Sequence, residues 1–449
     1  MTIKRDRLAA LHADEEARFV REHPRSAELA TQAQRSLLAG VPMPWMTRWP
    51  GAFPLFFESA VGARFRDVDG REYVDLCLGD TGAMTGHALP QVAEAVTSRA
   101  STGITTMLPS TDAAWVGEEL GRRFGLPVWQ MAMSATDANR FVLRFARHLT
   151  GRPKVAVMNW CYHGTVDETL AVLSSSGQVV PRPGALGPQV PVSETTAVVE
   201  FNDLDALDRR LALGDIACVL MEPALTNIGI VLPESGYLAG VREVTRKHDV
   251  LLVIDETHTM CAGPGGATRA WGLEPDFVVV GKAIGGGVPV AAYGMTAEVA
   301  HVLNGPMLGE EIDVAGVGGT LTGNALALAA TRATLSTCLR DEDFDVAVPL
   351  ASRWADGVAG VIEEHGLPWT VQRLGCRAEY WFRTPPRNGG EAAASGDHDL
   401  EAFFHLWCLN RGILLTPFHN MALFSPFHTT ADVDLHTAAF EQAVAALVG

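Results

Sequence analysis

The sequence predicts an α/β protein: a large domain with a mostly parallel sheet sandwiched by helices, plus a smaller α+β domain built from both chain ends. Two observations carry that expectation. From about residue 90 onward, short apolar runs recur between polar turn residues: PKVAVMNW, IACVLMEP, DVLLVIDET, DFVVVGKAI and VAAYGMT. Runs of that length without alternation suit strands buried on both faces. Between them lie helix-like stretches such as ESGYLAGVREVTRKHD, which fit crossovers between parallel strands.

The remaining elements follow in chain order. The first 40 residues read as helix, charged throughout, with Leu8, Leu11, Phe19 and Val20 at helical spacing. VPMPWMTRWPGAFP must be irregular, because its prolines and glycines break either period. ARFRDVDGREYVDL then reads as two short strands around an Asp-Gly turn. After about residue 330 come a helix, short strands and a closing amphipathic helix, DLHTAAFEQAVAALV. The expected boundaries are 1–75 feeding the small domain, 76–330 for the large one and 331–449 returning to the small one. No internal repeat marks a solenoid.

Composition narrows the function. A chain of 449 residues can bury two sizeable cores. The formal net charge of −17 argues against a nucleic-acid binder, whose footprint would be basic. Seven scattered cysteines without a CxxC pair fit reduced thiols better than a disulfide framework. The start, MTIKRDRLAALHADEEARF, lacks the apolar centre of a signal peptide, and no run of about 18 apolar residues offers a membrane span. A soluble cytoplasmic protein is expected, with no membrane or nucleic-acid partner.

In parallel sheets, ligands gather at the carboxyl ends of the strands. Three consecutive apolar runs end there on ionisable residues: Glu222 after VLM, Asp255 and Glu256 after VLLVI, and Lys282 after FVVVG. One terminal charge alone is by default a surface group; three in succession point to a site. A phosphate-binding Walker A loop is excluded, since Asp276 stands where its first glycine belongs and Ala283 where Ser or Thr belongs. AIGGGVP is no dinucleotide fingerprint either, and no His, Cys and Asp cluster has metal-ligand spacing. A lysine that forms a Schiff base, with an acid to keep a pyridine ring protonated, is the arrangement of pyridoxal phosphate enzymes.

That chemistry needs a phosphate cradle and a flat group against the ring. Ser134, Ala135 and Thr136 open a strongly helical segment, so free N–H groups and the helix dipole would face an anion there. The plainer reading is a helix N-cap. NWCYHG follows directly after the run PKVAVM, which places Tyr162 or His163 at the carboxyl end of that strand.

The order SATDAN, YHG, MEP, IDE, GKAIGGGVP and GGTLTGN resembles fold-type I, class III aminotransferases, nearest the glutamate-1-semialdehyde aminomutase and β-amino-acid aminotransferase branch. The resemblance runs from PLFFESAVGARFRDVDGREYVDL to GILLTP, and the spacing of IDE to GKAIGGG is its most specific part. It implies pyridoxal 5′-phosphate as cofactor, bonded to Lys282 as an internal aldimine. Lys282 would later shuttle the substrate proton, and Asp255 would hold the pyridine nitrogen protonated. Ala135 and Thr136 would bind the phosphate, Tyr162 would cover one ring face, and Glu222 would sit near the ring oxygen. Thr320, in GGTLTGN, would reach the phosphate of the neighbouring subunit, which makes a homodimer the expected partner state.

Departures from the family pattern bear on the substrate. SATDA replaces the usual SGTEA, and Thr257 brings a hydroxyl where an apolar residue backs the ring. HTMCAGPGGATRAWG replaces the common TGFR loop. Many members carry an arginine in I-R-F-x-P that binds an α-carboxylate; ALFSP puts Leu423 there. The aminomutase branch also has an arginine in GGVNSPVR, where AGVPMPWM places Met46. A carboxylate wants a forked guanidinium, and Arg48 and Arg377 are the remaining candidates. Trp45, Met46, Trp49 and Phe53 crowd a loop that the resemblance puts at the substrate entrance, or else they are core. His258 and His419 read as structural, or as supports for residues of the site, rather than catalytic. The expected activity is transamination from a β-amino acid, ω-amine or apolar amine to a keto acid; the alternatives are an aminomutase, a racemase or epimerase, or a lyase on the same site. A non-catalytic protein on this fold is disfavoured by intact Lys282 and Asp255.

Overall fold

The computed structural model describes residues 3–308 and 316–449. The chain divides into two compact units: Met1–Leu89, Glu342–Pro385 and Ser395–Gly449 form one, Pro90–Asp341 and Pro386–Ala394 the other.

The larger unit is built on seven strands: β1 (Val128–Ala132), β2 (Lys154–Met158), β3 (Thr196–Val199), β4 (Ile216–Met221), β5 (Leu251–Asp255), β6 (Phe277–Val280) and β7 (Ala291–Met295). Their order is β1-β7-β6-β5-β4-β2-β3. β2 to β6 are mutually parallel where they pair. β7 runs antiparallel to both of its neighbours. Its run AAYGM is buried at every position like those of β4 and β6. Apolar continuity reports burial on both faces, and it carries no sign for strand direction.

The helix α1 (Ala135–Thr150) follows β1. It starts at Ser134, whose hydroxyl accepts from Asp137 N, and ends at Gly151 in the left-handed region with φ 66°. It buries Ala138, Asn139, Phe141, Val142, Phe145 and Ala146, an apolar stripe at helical spacing with one polar exception. That exception belongs to the site described below.

In the smaller unit the N-terminal helix is two, Arg5–Glu22 and Pro24–Ala33, separated at His23. Pro24 cannot continue the first helix but suits the first turn of the second. The predicted hairpin forms from Arg64–Asp67 and Glu72–Asp75, paired antiparallel. Phe19, Phe65, Tyr73, Leu406 and Leu409 make a core cluster, with Phe53 packed against it. Phe53 therefore takes the packing role. The closing helix, Thr430–Val448, starts with a capping box of Thr429 and Asp432.

Two histidines of this unit are buried where the loss of water outweighs any favourable neighbour. His436 touches the rings of Trp354 and Phe440, and neither of its ring nitrogens has a hydrogen-bond partner. Burial pushes His436 down to about 3 and His405 down to about 4. Both values lie below the ordinary histidine range of about 6.5 in an unfolded chain. Stability is therefore full above about pH 6.5 and is lost as pH falls, because only the unfolded chain gains these protons. The urea midpoint should drop between pH 7 and pH 5, by an amount of order a few kcal/mol in stability. His436→Leu should flatten that dependence and raise the midpoint at pH 5.

Candidate active site

Three adjacent parallel strands deliver the chemistry. β4, β5 and β6 lie side by side in register, with Ile254 opposite Met221 and Asp255 opposite Val279. Glu222, Asp255 and Lys282 thus emerge at the same edge of the sheet, as expected for a parallel sheet that binds at its carboxyl ends.

Asp255 is buried, and four donors converge on its carboxylate. Thr257 N at 3.0 Å and Thr257 Oγ1 at 2.6 Å donate to Oδ1. Asn139 Nδ2 and His163 Nδ1, both at 2.9 Å, meet Oδ2. Burial pushes this carboxyl up, but His163, Thr257 and Asn139 outweigh it and hold the group at about 2. His163, buried itself, is held well above the usual histidine range by groups that include Asp255, against the opposing effect of burial. Asn139 on α1 and His163 after β2 thus fix one anionic group. The Thr257 hydroxyl is a donor to Asp255.

Glu256 turns the other way. It accepts from Thr259 Oγ1, Ala267 N and both the N–H and hydroxyl of Thr268. Its carboxylate ties down the segment that replaces the TGFR loop and takes no part in the site.

The N-terminus of α1 comes close to the lysine. A Cβ on Gly281 would lie 3.1 Å from the Cβ of Ala135 and 3.3 Å from that of Ala291. Glycine is needed here so that α1 can abut the end of β6, one residue before Lys282. Lys282 is left-handed, with φ 49°; such strain in a residue with a side chain clusters at functional sites. Its Nζ lies 2.8 Å from His258 Nε2.

The N–H groups of Ala135 and Thr136 head α1, where no intrahelical acceptor reaches them. The Ser134 hydroxyl is engaged with Asp137 Oδ2 at 2.9 Å, so Ser134 serves as the cap. Thr136 Oγ1 accepts from Thr165 N at 3.1 Å and keeps its own proton to donate. A Cβ on Gly164 would fall 2.1 Å from Thr136 Oγ1, and Gly164 has φ 82°. Gly164→Ala should displace Thr136 and weaken pyridoxal phosphate binding by about tenfold, the worth of one hydrogen bond to a charged group at about 1.5 kcal/mol. A cofactor titration followed by absorbance checks this.

Tyr162 is half-buried after β2, and the Arg182 guanidinium lies 6.0 Å from its ring and 5.3 Å from that of Trp160. Arg182 donates to the Cys161 carbonyl at 2.7 Å. With its amide turned oxygen-first, Asn227 accepts from Arg182 Nη2 at 2.6 Å. Arg182 therefore braces the loop that carries Tyr162. Glu222 is buried and accepts from the Thr226 hydroxyl. Thr320 is exposed.

The substrate candidates lie in the smaller unit. Trp45 and Trp49 meet the Phe418 ring edge-on at 5.6 and 6.4 Å, and Arg48 is exposed. Arg377 is fully buried, with Nη2 3.5 Å from Glu379 Oε2. His419 Nδ1 lies 3.4 Å from Glu379 Oε1. Burial raises the Glu379 carboxyl, but His419 and Arg377 outweigh it and hold it below the usual range. Among the described residues, no group of three His, Cys, Asp or Glu side chains could hold a metal ion. No described helix is long and apolar enough to cross a membrane.

A family model described as Aminotransferase class-III matches residues 45–442. The chain belongs to that family. A curated relative from Chloroflexus aggregans, a glutamate-1-semialdehyde 2,1-aminomutase, is 35% identical over 441 residues, covering 95% of this chain and 98% of its own. A crystal structure of a glutamate-1-semialdehyde aminomutase from Pseudomonas aeruginosa covers 100% of both chains at 49% identity, with a TM-score of 0.97. A lysine-to-alanine form from the same organism, solved in complex with PMP, matches with the same identity, coverage and TM-score. The fold is thus that of a fold-type I transferase, and the cofactor of this class III enzyme is pyridoxal phosphate. The residues fit that group: a donor-rich helix end for a phosphate, an ionised buried carboxylate for a ring nitrogen and an amine at the end of the next strand. The sequence reading places intermolecular transamination first and an aminomutase second; these relatives favour the second.

Proposed function

We propose that this enzyme is an aminomutase that moves an amino group between neighbouring carbons of one small substrate. The observation that supports it is the full-length similarity to proteins named glutamate-1-semialdehyde aminomutase, joined to the alignment of Glu222, Asp255 and Lys282 at one sheet edge. The cofactor supplies an electron sink for carbanion chemistry when bound. Ala135 and Thr136 offer N–H groups and a hydroxyl to its phosphate, and Ser134 caps the helix that presents them. Asp255, ionised and with Thr257 among its donors, would hold the ring nitrogen protonated. Tyr162 and Glu222 would be the residues that flank the ring. Lys282 would hold the cofactor, and its Nζ would carry the proton that the reaction moves. Thr320, exposed on a single chain, completes the phosphate site of a second copy in a homodimer. Trp45 and Trp49 present apolar surface to the substrate, while Arg48 and Arg377 are the guanidinium candidates for a carboxylate.

The second reading, transamination from a β-amino acid, ω-amine or apolar amine to a keto acid, is favoured by Met46 and Leu423 standing where carboxylate-binding arginines are expected. Purified protein loaded with pyridoxal phosphate or pyridoxamine phosphate separates the two. An aminomutase converts glutamate-1-semialdehyde to its amino-shifted isomer with no keto acid consumed. A transaminase given an amine alone accumulates pyridoxamine phosphate and stops until a keto acid is added.

A further inference from the structure

His258 occupies the position directly after Thr257, in the segment that Glu256 ties down. The residue is 8% exposed, and its Nε2 lies 2.8 Å from Lys282 Nζ. The segment leaves it little freedom. Glu256 accepts from Thr259, one residue beyond His258, and from Ala267 and Thr268 further along. On the other side, Thr257 is fastened to Asp255 through both its N–H and its hydroxyl. The imidazole is thus carried between two anchored residues.

An ammonium has three donors and no acceptor. Against a protonated Lys282, the nitrogen at 2.8 Å must therefore be an unprotonated acceptor, which places the ring proton on Nδ1. We propose that His258 Nε2 is the hydrogen-bond acceptor for the Lys282 ammonium, steadying at Nζ the proton that the lysine takes from the substrate until it is returned. The inference rests on the reading of Lys282 as the reacting amine. The balance is simple: one proton arrives at Nζ, is shared along Nζ–H···Nε2, and leaves from Nζ, so the pair carries one positive charge between the two transfers. Other ionisable groups at this sheet edge are Asp255, Glu256, Glu222, His163 and Tyr162, the last beside the Arg182 guanidinium. Asp255 is engaged with His163, Asn139 and Thr257, Glu256 with Thr259 and Thr268, and Glu222 with Thr226. A residue without an acceptor nitrogen or oxygen at 258 cannot do this; glutamine can.

The chain has only four lysines, Lys4, Lys154, Lys247 and Lys282, so each can be followed by peptide mass spectrometry. The test is the pH profile of acetylation by acetic anhydride, on full-length protein stripped of cofactor, for wild type, His258→Gln and His258→Leu. Loss of the acceptor destabilises the ammonium at Nζ. In His258→Leu Lys282 should label about tenfold faster than in wild type at neutral pH, and at the same rate as wild type at high pH. His258→Gln should stay near wild type, and the other three lysines serve as unchanged references. Faster labelling by one factor at all pH values would mean greater access alone and would overturn the proposal, as would equal profiles for Leu and Gln. In loaded enzyme, His258→Leu should lower kcat about tenfold with KM little changed, and His258→Gln should recover most of that loss. A wild type whose Lys282 does not capture pyridoxal phosphate, assayed by borohydride trapping, sinks the functional reading instead; the acetylation profiles still decide the role of His258.

Discussion

Lys282→Ala is expected to abolish turnover, by about 10³-fold or more, while leaving the cofactor bound without a covalent link. The magnitude follows from the two tasks proposed for one amine, bonding the cofactor and transferring a proton; positioned acid–base groups alone contribute about 10²–10⁴. Retention of the cofactor follows from the site's construction. The N–H groups of Ala135 and Thr136 and the buried Asp255 carboxylate do not depend on the lysine side chain. Stability should change little, since Lys282 is only half-buried and alanine at φ 49° keeps the same left-handed strain. Lys282→Gly removes that strain and should match or exceed Lys282→Ala in thermal midpoint. A small primary amine added to either variant should restore part of the rate, because the missing group is an amine. A variant within tenfold of wild type in turnover would show that another group reacts.

Much of this site is legible in the sequence because parallel sheets bring strand ends together. Apolar runs closing on Glu222, Asp255 and Lys282 require no knowledge of strand order beyond adjacency. Glu256 illustrates a signal that was available: neighbouring residues of an extended chain point to opposite sides, so Asp255 and Glu256 could not both face the ligand. The partners of Asp255 were not available. Asn139 and His163 stand 116 and 92 residues away, and an asparagine within an apolar helix stripe carries no mark of its partner. Thr257 reads as a lost apolar contact until its hydroxyl is seen on Asp255. Arg182 and His258 escape for the same reason, since their roles exist only through contacts closed by the fold. The return of residues 386–394 to the larger unit also leaves no compositional trace.

Asp255→Asn is the second large effect, and it should strike stability as well as chemistry. The carboxylate accepts from four donors: Thr257 N, Thr257 Oγ1, Asn139 Nδ2 and His163 Nδ1. An amide presents one oxygen and an NH₂, so at least one side of the site would set donor against donor. Each buried polar group left unpaired costs about 1–3 kcal/mol. His163 would also lose the anion that favours its charged form, and its pKa should fall. The charge itself is the functional loss: a neutral amide cannot hold a ring nitrogen protonated, and turnover should drop by about 10²–10⁴. The sign of the pH effect distinguishes this from simple unfolding. Asp255 in wild type sits at about 2, below the ordinary carboxylate value of about 3.9. Its contribution to stability is present above about pH 4 and is lost as pH falls toward 2. The Asn variant lacks that dependence, so its deficit in urea midpoint should shrink below pH 4; between pH 8 and about pH 6.5 the deficit should instead widen as pH falls, because the protonated His163 that stabilises wild type there loses its anion. His163→Gln, which keeps a donor but not the charge, should reproduce a smaller part of the activity loss. Equal activity in Asp255→Asn and wild type would remove Asp255 from the proposed chemistry and leave it a structural anion.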